Sequence, residues 1–345
     1  VCSSDLIGSC KVYSVNYYVS WFLEAAAYCA VDIFGMISGY VLIDTKFNIY
    51  KIFPLWLTVF FYSALITCLF KFVPFFEALH KVSEIEFVNG VFFPVVSRQY
   101  WYFTDYFALY FFVPFINSFL HSISKKEHKK FCFTIIIIFS LLPVLGLRKI
   151  DTFRTAWGYS TWWLACLYIF GAYLKMYPIQ ISKASGLYLY LISVFCAWFA
   201  KFYSHIFSLS VGADKDVNLF IDYTSIFMLI SAVALILLFS QIQVKHDSVK
   251  KIIGFVNNMA FSIYLIHVHP FVFKYVWKSK FSDFAHSNAG LLVLKVISFA
   301  FFVFTACLII DMFRYFIFKF LRINKIPNLL NKQIKSTQQL LKNCS

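Results

Sequence analysis

Residues 17–42 read YYVSWFLEAAAYCAVDIFGMISGYVL, an apolar run whose ionisable carboxyl groups are Glu24 and Asp32. At a rise of about 1.5 Å per residue, a helix of this length crosses the ~30 Å hydrocarbon core of a bilayer. Counted at about 100° per residue, Glu24, Tyr28, Asp32, Gly35 and Gly39 fall within roughly 80° of one another, while Phe22, Ala26, Ile33 and Ile37 take the opposite side. The pattern predicts a membrane helix with a polar, small-residue stripe turned to protein. An ionisable side chain near the bilayer centre costs about 2.5–3.5 kcal/mol, so Glu24 and Asp32 should face the bundle interior. Two readings stay open. The glycines let helices approach closely while the carboxylates find partners, or the carboxylates mark a pathway or site.

The rest of the chain extends this reading. Of its 345 residues 61% are hydrophobic, 22% aromatic and only 14% charged, with a mean hydropathy of +0.74; a soluble domain is about 45–50% apolar and about 25% charged. Nine apolar runs, at 17–42, 50–72, 99–121, 131–147, 157–175, 185–206, 218–241, 253–273 and 289–312, predict an all-α, polytopic transmembrane bundle. The net charge of +15 is then a question of sidedness and not a sign of nucleic acid. With residues 1–16 outside, the inner loops and tail carry 18 Lys/Arg and the outer segments 12. This bias predicts a cytoplasmic C-terminus. The domain reading is an external or non-native remnant over 1–16, the bundle over 17–321, and a basic cytoplasmic tail over 322–345 that hugs anionic lipid. The opening Val1-Cys2-Ser3-Ser4-Asp5-Leu6 resembles a translated adapter, and nine spans leave the N-terminus outside without a signal, so a first helix is expected upstream. The nine cysteines show no ligand spacing and read as small buried residues.

Other ionisable groups inside apolar runs are the informative ones. On the eighth run Asn257, Tyr264 and His267 share one side and His269 points away, which makes His267 the better proton relay or base; a His held by one hydrogen bond is the competing reading. The pair is a poor metal site, and no metal is expected. On the third run Tyr102, Tyr106 and Tyr110 form one face suited to a sugar-sized cavity, with Asp105 about two turns inside and partly hydrated; an interfacial aromatic belt is the alternative for Trp101 and Tyr102. Lys295 is shallow enough to snorkel, and Asp222 sits near the outer surface. Segment 73–98 predicts an interfacial cap. No G-x-S-x-G, P-loop, H-E-x-x-H or His-x4-Asp pattern occurs. These features leave a catalyst and a proton-coupled transporter or flippase both open, although no paired broken helices favour the transporter.

Four strings resemble motifs of the acyltransferase 3 family, integral-membrane enzymes that O-acetylate surface polysaccharides. They are Tyr28-Cys29-Ala30-Val31-Asp32-Ile33-Phe34-Gly35-Met36-Ile37-Ser38-Gly39-Tyr40, Tyr50-Lys51-Ile52-Phe53-Pro54-Leu55-Trp56, Tyr100-Trp101-Tyr102-Phe103 through Pro114-Phe115-Ile116-Asn117, and Phe261-Ser262-Ile263-Tyr264-Leu265-Ile266-His267. The resemblance runs from about residue 17 to the end and implies a ten-helix bundle in a bacterial inner membrane. It also implies a main catalytic His on a first helix that has no counterpart here, so this polypeptide would be inactive by itself.

The resemblance further implies acetyl-CoA or another acyl-CoA as donor, and a surface glycan or lipid-linked sugar as acceptor. Donor phosphates would meet Lys46 and Lys51, where the family tends to carry arginine; Lys lacks the bidentate fork. Asp32, Tyr264 and His267 would support catalysis by holding the chain in register or relaying the proton. Glu24, Tyr102, Asp105 and Tyr106 would bind the acceptor.

Overall fold

The computed structural model describes residues 3–145, 151–210, 220–277, 280–323 and 326. Its α-helices in chain order are α1 (Ser3–Ser9), α2 (Val15–Tyr28), α3 (Ala30–Leu42), α4 (Ile52–Phe72), α5 (Pro74–Glu77), α6 (Glu84–Phe92), α7 (Trp101–Ser122), α8 (Lys125–Ile135), α9 (Leu142–Leu145), α10 (Thr161–Met176), α11 (Lys183–Ser210), α12 (Ile226–Ser240), α13 (Asp247–His267) and α14 (Ala289–Phe320). Among the described residues there is no strand, so the chain is all-α. Each of the nine apolar runs carries a helix. Among the described residues six spans are long and apolar enough to cross a membrane: Val15–Leu42, Ile49–Phe72, Trp101–Ser122, Lys183–Ser204, Asp247–His267 and Ala289–Phe320. The other three runs carry shorter helices, namely α10, α12 and the stretch 125–145, which passes through a π-helical segment at Ile136–Leu141. In the most apolar window of α14 only 6% of residues are buried. Such a surface is stable against lipid and not against water.

Helix starts follow local chemistry. Ser14, Ser160, Ser225 and Asn288 each accept a hydrogen bond from a backbone N–H of the first turn, and Ser83 and Ser124 form full capping boxes with Glu86 and Glu127.

Three boundaries differ from the sequence reading. The run 17–42 is two helices, because the backbone turns at Cys29 (ψ −5) before the ladder resumes with Ile33 N–H donating to the Cys29 carbonyl at 3.0 Å. Neither Pro nor Gly marks that break. Helix α11 runs on through Lys201, which is buried and not in an outer loop. Helix α14 extends through Arg314, which is likewise buried and not part of a tail. Each side of the charge tally thus loses one residue and its bias is unchanged. Most of the basic tail over 322–345 lies outside the described residues.

The chain forms two compact units, one of residues 1–12, 48–104 and 244–345, the other of residues 13–47 and 105–243. In the first, α4 packs on α6 and α13, and α13 on α14. The Ser63 hydroxyl donates to the Gly90 carbonyl at 2.6 Å, and Lys71 Nζ bonds the Val82 carbonyl and Glu84 at 3.0 and 2.7 Å. Ile85, Val88 and Phe92 of α6 stay exposed, the surface an interfacial helix presents to lipid. Lys295 donates to the Ser287 hydroxyl at 2.6 Å.

In the second unit α3 is sandwiched against α10 and α12, with α11 on α12 and α2. A Cβ on Gly39 would collide with the Tyr168 carbonyl, and one on Gly171 with the Met36 carbonyl, so α3 and α10 touch backbone to backbone. Cross-helix bonds add to this: Tyr168 OH to Asn117 Oδ1 at 2.7 Å, Asn117 Nδ2 to the Leu42 carbonyl at 3.1 Å, and Trp198 Nε1 to the Tyr18 carbonyl at 3.0 Å.

Candidate functional site

In the unit of residues 13–47 and 105–243, the stripe on α2 and α3 does gather a polar cluster. Asp32 is fully buried, one turn before Gly35, in the α3–α10 contact. Trp163 Nε1 donates to its Oδ1 at 3.3 Å, while among the described residues Oδ2 has no hydrogen-bond partner. A buried carboxyl oxygen left without a donor is costly, and a ligand hydroxyl aimed at it would remove that cost. Close by, the Tyr28 ring stacks on Tyr223 at 4.5 Å and Tyr159 lies 4.9 Å from the same ring. Asp32 is in electrostatic reach of Tyr223, and Glu24 and Asp222 are in reach of Tyr28. The cluster therefore combines three carboxyl groups with three phenol rings, the residue types that bind hydroxyls and apolar sugar faces. The glycines that admit α10 and the Asp32 carboxyl belong to one helix face.

Asp105 differs from expectation. It is 8% exposed and not partly hydrated, and its Oδ1 accepts from the Thr161 hydroxyl at 3.0 Å. Asp222 is buried as well, at 7% exposed. Tyr106 and Tyr110 keep their shared face, with ring centroids 6.2 Å apart. Lys46 is exposed in the loop after α3. Lys201, which sequence reasoning missed, places its ammonium 4.4 Å from the centre of the Trp21 ring. Its position, surrounded by Phe199, Phe202 and Tyr203, was the available signal.

The other unit holds Lys51, Tyr102, Tyr264 and His267. Lys51 is exposed at the start of α4. The Tyr102 backbone N–H donates to the Tyr264 hydroxyl at 3.3 Å, so these two predicted residues meet directly. His267 Nδ1 faces the Ile263 carbonyl at 2.5 Å. A carbonyl only accepts, so Nδ1 carries the proton and Nε2 is left as the acceptor. His269 is the more buried imidazole, 1% exposed, with its ring 5.8 Å from Tyr100. Its Nδ1 accepts from Phe271 N–H at 3.2 Å, and among the described residues Nε2 has no partner. The helical angle that turned His269 away fails because α13 ends at His267, and the next residues follow a different backbone path.

A second missed group in this unit is ionic. Arg314 donates through Nε and Nη2 to both oxygens of Asp311 at 2.6 and 2.7 Å, and the Tyr62 hydroxyl donates to Asp311 Oδ1 at 2.5 Å. The i, i+3 spacing of Asp311 and Arg314 in an apolar run was visible in the sequence. Among the described residues no three His, Cys, Asp or Glu side chains come together as metal ligands.

Membrane-crossing helices that bury carboxyl, phenol and imidazole groups define a multi-pass membrane protein with chemistry in its interior. The family model described as "Acyltransferase domain" matches residues 7–312, and the chain belongs to that family, acyltransferase 3. No curated protein and no solved structure matches the chain.

Proposed function

We propose that this protein is a membrane O-acyltransferase that moves an acyl group, acetyl in the simplest case, from cytoplasmic acyl-CoA to a sugar hydroxyl of a bacterial cell-surface glycan at the inner membrane. The observation that carries the reading is the family match over residues 7–312 on a chain of membrane-crossing helices.

In the transfer, the sugar hydroxyl oxygen attacks the thioester carbonyl carbon and a base takes the hydroxyl proton. The C–O bond forms, the C–S bond breaks, and the CoA thiolate leaves and is protonated. Asp32, with one oxygen held by Trp163, supports catalysis by holding the chain in register or relaying the proton. Glu24, Tyr102, Asp105 and Tyr106 are assigned to acceptor binding. His267, with Nε2 open, and Tyr264 serve proton relay. Lys46 and Lys51 meet donor phosphates as point charges.

The test uses membranes containing the protein expressed from its complete open reading frame, acetyl-labelled acetyl-CoA and candidate glycans. Label should pass to glycan only when both substrates are present, and Asp32→Asn and His267→Ala should each lower the rate by about 10²–10⁴-fold, the usual contribution of a positioned proton-transfer group. Full rates in both variants would reduce them to packing residues; acyl-CoA consumption independent of any acceptor would end the proposal.

A further inference from the structure

Three helices of one unit line an open cavity of about 230 Å³ that the proposed chemistry does not use. Each helix contributes the same i, i+1, i+4 pattern: Pro54, Leu55 and Thr58 from α4, Arg314, Tyr315 and Phe318 from α14, and Asn257, Asn258 and Phe261 with Ser262 from α13. The floor is built and buried. Ser262 is 1% exposed, and among the described residues its hydroxyl has no hydrogen-bond partner. Arg314 is 6% exposed and reaches the Asn258 carbonyl at 3.5 Å through Nη2, while its charge is balanced by both oxygens of Asp311. Asn258 Nδ2 donates to the Gly254 carbonyl at 2.8 Å, which leaves its Oδ1 as an acceptor. Asn257 is exposed, and among the described residues its amide makes no hydrogen bond.

These groups specify a ligand. Asn257 lies ten residues into α13 and near the start of the apolar run 253–273, on the side assigned to the cytoplasm. Because Asp311 neutralises Arg314, the cavity has no net cation to select a bare anion. It offers amide donors and acceptors and a hydroxyl along apolar walls of Pro54, Leu55, Phe261 and Phe318. That set matches a flexible chain carrying amide and hydroxyl groups. The cavity has room for part of a cofactor-sized donor. Lys51 stands at the N-terminus of α4 three residues before Pro54 and is exposed, where it would meet phosphates left outside.

We propose that the cavity between α4, α13 and α14 receives the amide-bearing pantetheine arm of the acyl donor, with Asn257, Asn258, Ser262 and Arg314 as its polar contacts. The assignment rests on the acyl-CoA reading above.

Two measurements on the full chain in membranes test it. A photoreactive acyl-CoA carrying its label on the pantetheine arm should mark peptides containing 257–262 and 314–318, and free pantetheine should compete. Asn257→Leu and Ser262→Ala, which suit a lipid-embedded helix, should each raise KM for acyl-CoA roughly tenfold, more than they change kcat. Labelling confined to other helices, competition by anionic phospholipid or sugar in place of pantetheine, or unchanged KM in both variants would overturn the assignment. Labelling at these peptides without acyl transfer to any glycan would keep the donor site and overturn the acceptor reading. Transfer without labelling here would do the reverse.

Discussion

Asp311 has Arg314 bound to both oxygens and Tyr62 on Oδ1, and it is fully buried on a helix that otherwise faces lipid. Two opposite charges withdrawn from water hold each other, and removing one strands the other. Asp311→Leu alone should lower stability by about 3–5 kcal/mol, whereas Asp311→Leu combined with Arg314→Met should recover most of the loss. Thermal unfolding of detergent-solubilised variants checks this, and equal losses in the single and double variants would show that the pair does not act as a unit. Asp32 follows another logic. Only one of its oxygens has a partner, so its position is held by packing between α3 and α10 and not by an ion pair. Its location in an apolar run was plain in the sequence. Its bond to Trp163, 131 residues away, was not, since nothing local encodes which helix will lie opposite.

At the level of helices, close approach and capping make separate predictions. Gly39 and Gly171 sit where α3 and α10 meet, and either Cβ would strike a facing carbonyl oxygen. Gly39→Ala and Gly171→Ala should each cost about 1–3 kcal/mol as the helices are forced apart. Gly254→Ala on α13, where an added Cβ meets nothing within 4 Å, should leave unfolding unchanged or stabilise slightly. The capping box of α6 gives a pH dependence outside the membrane-crossing helices. Burial pushes the Glu86 carboxyl up, but the Ser83 backbone N–H and hydroxyl and the His80 imidazole outweigh it and hold the group below its usual range. A carboxyl lowered by folding contributes stability above its unfolded value of about 4.3, and that contribution fades as pH falls through the folded value. The melting temperature of the parent should therefore exceed that of Glu86→Gln at neutral pH, and the gap should close in acid. A gap that widened in acid would contradict the assignment. The stripe of Gly35 and Gly39 was legible from spacing, whereas the break at Cys29 was not, because no residue there resists helix.

For the molecule as a whole, sidedness is the property that charge decides. Lys201 and Arg314 leave the loop count one from each side, so basic residues still concentrate on the side assigned to the cytoplasm. A reporter fused after Ser345 that is active only in the cytoplasm should be active, and an inactive fusion would invert the topology. The sequence by itself determined that the chain is an all-helical membrane protein, where its apolar runs lie, and which carboxyl, tyrosine and histidine side chains had to avoid lipid, because hydrocarbon penalises polar groups wherever they occur. Only the tertiary structure decided that Tyr28, Asp32 and Tyr223 share one cluster, that His269 is the more buried imidazole, and that Tyr62 reaches Asp311 across 249 positions. Helical periodicity fixes the direction of a side chain within its own helix, but the neighbour it meets is set by how helices pack.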